Sequence, residues 1–80
     1  MNQEVEQMKT DIILRLNQIA FIKTKSIEKT LEINDSIRDC IDLLDRFITF
    51  IEDDDADNDT FDELKADYID TIRFIKKLLN

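Results

Sequence analysis

Eighty residues carry a net charge of −8 and contain no glycine, no proline, no histidine and a single cysteine. That length holds one domain with a marginal core, residues 1–80, and the charge argues against direct nucleic-acid binding or an anionic membrane, which attract basic faces. A lone Cys40 excludes an internal disulfide and fits a reducing, cytoplasmic setting, no apolar run approaches the ~20 residues of a membrane span, and the polar, acidic start is unlike a signal peptide.

Average composition would supply about ten glycines and prolines. Hairpins draw on both residues for their turns. Helix starts are served instead by Ser, Thr, Asp and Asn. The chain therefore reads as all-α.

The first predicted helix covers 3–22. Val5, Met8, Ile12, Leu16 and Ile19 recur at helical spacing, with Ile13 and Ile22 beside them. The seam then runs into Lys23, Ser26 and Thr30, all polar, which predicts a tight turn near 23–26 capped by Thr24 or Ser26. Two alternatives stay open. One is a single long helix from about residue 3 to 52, packed against a shorter antiparallel helix and dimerising as a coiled coil or four-helix bundle. The other breaks the chain at 34–36, with Asp35 or Ser36 as cap.

The second predicted helix covers 26–52. Ile33, Ile37, Cys40, Leu44, Phe47 and Ile51 alternate gaps of four and three, a heptad seam that Ile41 and Ile48 widen. Arg38 with Asp42, and Asp42 with Arg46, form i,i+4 pairs on the wet side. Leu43 and Phe50 lie more than ~100° from the seam centre.

Residues 52–59 form an acidic loop, because like charges three and four apart oppose a helix there. The third predicted helix covers 60–79. Thr60 and Glu63 fit a capping box. Phe61, Leu64, Tyr68, Ile72, Ile75 and Leu79 form its stripe, with Phe74 and Leu78 off the main face and Lys76 and Lys77 at the negative end of the helix dipole. The expected architecture is an up-down-up three-helix bundle.

Charge is localised. Residues 52–70 hold ten acids against Lys65 alone, and the rest of the chain is close to neutral. Two EF-hand registers can be tried on the loop. Beginning at Asp53 puts Asn58 where glycine belongs and Leu64 where the bidentate glutamate belongs. Beginning at Glu52 places Glu63 correctly but puts Ala56 at a ligand position. Neither supports a metal site, and no cofactor motif is present. Without histidine the commonest general base is missing. Cys40 lies in an apolar seam, where a structural thiol is expected. The expectation is a non-enzyme.

What remains is surface. Leu43, Phe50 and Phe74 are large apolar residues off the stripes, and Phe21 lies opposite the first stripe. Asp59, Glu63, Asp67 and Asp70 follow gaps of four, four and three along one face of the third helix, a row that Phe74 continues. Such carboxylates imitate a string of phosphates. Leu43, Phe50 and Phe74 with Asp59, Glu63, Asp67 and Asp70 are the expected partner-binding set of a small regulator or inhibitor that docks on a larger protein with a basic surface. A structural role as a homodimer or helical subunit is the alternative.

Overall fold

The chain reverses twice without glycine because a side chain caps each new helix. The computed structural model describes residues 2–80 as α1 (Asn2–Ala20), α2 (Ile27–Glu52) and α3 (Asn58–Leu79). None of the described residues has a positive φ. At the first turn Ser26 is extended, and its Oγ accepts the Lys29 backbone N–H at 3.2 Å. Thr24 Oγ1 accepts the Ser26 N–H at 3.1 Å, and the Thr30 hydroxyl donates to the Ser26 carbonyl at 2.8 Å. The break falls where the seam turns polar. The single long helix is thereby excluded. So is the break at 34–36, since Asp35 and Ser36 lie inside α2.

At the second turn the cap is Asp57 rather than Thr60. Asp57 Oδ1 accepts the Thr60 N–H at 2.8 Å, so Asn58 opens the helix and Thr60 is its third residue. Both residues can cap, but a carboxylate accepts more strongly at the positive end of a helix dipole. Asp53 Oδ1 takes the Asp55 N–H at 2.9 Å, an Asx turn that shortens the expected loop to residues 53–57.

Cross-helix contacts set the direction of each element. Glu4 meets Lys65 and Asp11 meets Tyr68, so α1 and α3 run the same way. Arg46 meets Asp67, and the Phe50 and Phe61 rings lie 6.1 Å apart, so α2 runs against α3. The result is the expected all-α, up-down-up three-helix bundle, 46 Å along its length and 18 by 17 Å across.

The core draws on all three helices, with Val5, Ile12 and Ile19 meeting Cys40, Leu43 and Phe47 of α2 and Leu64 and Ile75 of α3. The arc of α2 that is buried is rotated from the heptad seam. Leu43 is 2% and Phe50 4% exposed, whereas Ile41 is 55% and Ile48 45% exposed. A central helix must face two neighbours, and Leu43 and Phe50 supply the side that meets α3. On α3 the last buried position is Leu78, not Leu79, because a 3.6-residue period lets the final step from Ile75 be three.

Candidate functional site

Two polar rows face one another across α2 and α3. On α3, Asp59, Glu63, Asp67 and Asp70 are all exposed, as the sequence spacing requires. On α2, Asp39, Asp42, Arg46 and Thr49, followed by Asp53 at its C-cap, recur at gaps of three and four. Because Leu43 and Phe50 lie between these α2 positions and α3, burying them draws the two rows together. The outcome is a shallow groove. Asp39 and Asp42 oppose Asp67 and Asp70 over Leu43, and further along Thr49 and Asp53 oppose Thr60 and Glu63 over Phe50 and Leu64.

Arg46 lines both sections and is the one base among six carboxylates. Its Nη1 lies 2.8 Å from Asp67 Oδ2 and 3.9 Å from Asp42 Oδ2. It staples the rows at mid-groove. The run of carboxylates on α3 is therefore interrupted at Asp67, while Glu63 and Asp70 stay free on either side of it. Asp59 lies outside the lining, and Phe74 continues the row as an exposed side chain.

The expected partner-binding set is thus only partly brought together. Glu63, Asp67 and Asp70 share the groove. Leu43 and Phe50 form its floor and cannot be exposed anchors for a partner, since seven-residue spacing on a helix between two others marks core as readily as surface. Asp39, Asp42 and Asp53 also line the groove and are absent from the expected set. Their signal was present in the 39, 42, 46, 49, 53 spacing, but the face that row occupies follows only once the buried arc of α2 is known.

Tyr68 and Cys40 lie outside the groove. Tyr68 donates its hydroxyl to Asp11 Oδ2 at 2.5 Å, and Asp11 also takes the Arg15 Nε–H at 3.3 Å. Burial, with Asp11 adding, pushes the Tyr68 phenol up to about 12, so it stays a neutral donor. Burial, with Asp39 adding, pushes the Cys40 thiol up to about 11, which disfavours the reactive thiolate. Among the described residues no three Cys, Asp or Glu side chains come together in a way that would hold a metal ion. No helix of the described residues is long and apolar enough to cross a membrane. No protein-family model matches the chain, and no curated protein or solved structure matches it.

Proposed function

We propose that this chain is a small non-enzymatic regulator or inhibitor that docks on a basic surface of a larger protein through the α2/α3 groove. The observation that carries this reading is the convergence of six carboxylates from two helices on one groove with Arg46 as the sole base. Opposed rows of carboxylates present charge along two lines, as the two strands of a nucleic acid do. A basic groove built for nucleic acid would be steered onto them by long-range attraction. The stapling of Asp67 by Arg46 leaves Asp39, Glu63 and Asp70 as the free anionic contacts. Phe74 adds an apolar contact at the end of the row.

The test is capture of a basic protein on the immobilised chain, followed by displacement with double-stranded DNA. Asp39→Asn, Glu63→Gln and Asp70→Asn together should weaken capture by more than about tenfold and flatten its salt dependence. Glu32→Gln, Asp45→Asn and Asp62→Asn, exposed and outside the groove, should change it by less than about twofold. Equal effects from the two sets, or a captured partner that DNA does not displace, would remove the mimicry reading.

A second reading, a structural homo-oligomer, is favoured by Ile41 and Ile48. They stand seven residues apart on one line of α2 and remain about half exposed. Mass in solution separates the two. A dimer that Ile41→Lys with Ile48→Lys converts to a folded monomer would favour self-association.

A further inference from the structure

The two ends of the bundle carry opposite unbalanced charge. Since α1 and α3 run together and α2 runs back, the turn at residues 21–26, the start of α2 and the last turn of α3 share one end. Residues 20–31 and 73–80 hold Lys23, Lys25, Lys29, Arg73, Lys76 and Lys77 against Glu28 alone. The chain's other five bases, Lys9, Arg15, Arg38, Arg46 and Lys65, each lie within 4.0 Å of a carboxylate. Among the described residues, none of the six at this end does. Among the described residues, every basic side chain outside this end has a carboxylate within 4.0 Å.

The same end bears the two most exposed large apolar side chains among the described residues. Phe21 is 81% and Ile27 78% exposed, with Leu31 and Leu79 nearby. Apolar side chains at a turn, ringed by unpaired lysines, match a layer whose outer part is anionic and whose inner part is hydrocarbon. We propose that this end docks on a membrane surface rich in anionic lipid, with Phe21 and Ile27 entering the boundary between headgroups and acyl chains and the lysines meeting the phosphates.

Geometry favours a bilayer over a protein. The backbone cross-section at the tip, 18 by 17 Å between Cα positions, is small against the about 800 Å² per partner that a stable protein interface buries. A bilayer needs no complementary shape. Duplex nucleic acid is tracked by a basic stripe along a groove, and single strands are held by aromatic faces on which successive bases stack, whereas Ile27, Leu31 and Leu79 at this end are aliphatic. The net charge of −8 is no obstacle. Residues 20–31 and 73–80 sum to +5, the four acids of the turn at 53–57 lie at the far end of the 46 Å bundle, and the remaining −9 is spread along its body, where a Debye length of about 8 Å screens all but the acids nearest this end. An anionic surface therefore meets the local positive field, and the charge asymmetry orients the long axis away from it. This reading is independent of the α2/α3 groove.

The experiment uses vesicles of phosphatidylcholine with phosphatidylserine against phosphatidylcholine alone. The wild-type chain should co-sediment with the first and not with the second. Lys23→Glu with Lys25→Glu should weaken that binding by about tenfold or more, and so should Phe21→Ser with Ile27→Ser, while Asp54→Asn with Asp55→Asn should leave it within about twofold. The chain has no tryptophan, so Phe21→Trp provides an unobstructed reporter. Its emission should shift to the blue on adding anionic vesicles and be quenched by brominated acyl chains. Three results would each overturn the proposal: no co-sedimentation of the wild type, binding to a short DNA oligonucleotide but not to vesicles, or head-to-tail association of chains in place of lipid binding.

Discussion

Two turns of similar length reverse this chain, one at residues 21–26 and the other at 53–57. Both lack glycine, and both end in an extended residue whose side chain caps the following helix, Ser26 in one and Asp57 in the other. Their surfaces are opposite. The first presents Phe21, Lys23 and Lys25, and the second presents Asp53, Asp54 and Asp55. Reversing the chain needs only the capping oxygen and a few backbone hydrogen bonds. The other positions of a turn are then free to set charge and apolarity, and here the two turns use that freedom in opposite directions.

If the turns differ only in surface chemistry, stability must reside in the core between them, and the largest effect should come from there. Leu43→Ala with Phe50→Ala would empty two buried positions between α2 and α3. The cost should exceed about 4 kcal/mol, and circular dichroism should show loss of helix. A folded double variant would mean that α2 can rotate to bury Ile41 and Ile48 instead.

Next in size is a pH effect from the core. The Cys40 thiol is raised from 9.0 to about 11 by burial, so the fold favours the neutral form. The stability this contributes is complete below pH 9 and is lost as pH rises through 11. It amounts to about 2–3 kcal/mol. Tyr68, raised from 10.0 to about 12, extends the loss upward. Denaturant melts across this range should show stability falling from pH 9, and Cys40→Ala should flatten the part below about pH 11.

How much of this was legible in sequence follows from the same physics. The three helices, a first-turn cap at Thr24 or Ser26 and the acidic turn could be read because helical spacing and capping chemistry are local, although the same local chemistry points to Thr60 where Asp57 caps α3. The rotation of α2 could not. Ile41, Leu43, Ile48 and Phe50 are all apolar at helical intervals, and which pair is buried depends on where α3 lies. The groove was half legible for that reason. Its α3 row stands out in a local charge count, but Asp39, Asp42 and Asp53 join it only through the tertiary packing. The basic end was hidden by averaging, since the net charge of −8 masks six unpaired bases. Ser36 is a further case. A candidate cap in sequence, it lies buried in α2 with no partner for its hydroxyl.

The caps test whether the two turns are structurally equivalent. Ser26→Ala should cost about 1 kcal/mol at any pH between 3 and 8, because a hydroxyl does not titrate there. Asp57→Ala should destabilise too, but in a pH-dependent way. The Thr60 N–H holds the Asp57 carboxyl below its ordinary 3.8. Its contribution is therefore present above that value and lost as pH falls through the lowered one, so the variant and the wild type should converge in acid. A gap that persists in strong acid would show that the protonated carboxyl still caps through its carbonyl oxygen, and no gap at any pH would assign the cap to another group. Ser36→Ala should instead be neutral or add up to about 1 kcal/mol, since it removes a buried unpaired polar group.

The smallest expected effect on stability is the one that bears most directly on the comparison. Exchanging charge between the turns, with Lys23→Asp and Lys25→Asp at one end and Asp54→Lys and Asp55→Lys at the other, leaves composition and net charge unchanged. Both capping residues also stay in place. All four positions are exposed, and none pairs within 4 Å of an opposite charge among the described residues. Exposed charges of this kind contribute little, so the midpoint in urea should move by the equivalent of less than about 0.5 kcal/mol. The exchanged chain should nevertheless lose its co-sedimentation with phosphatidylserine vesicles, because Phe21 and Ile27 would then sit among carboxylates. Capture of a basic protein on the α2/α3 groove should change far less, since none of the four residues lines it. If stability falls by several kcal/mol, the turn residues are part of the fold and not only of its surface. If stability holds while lipid binding and capture fall together, the two faces act as one electrostatic unit, and the separation drawn here between groove and tip is wrong.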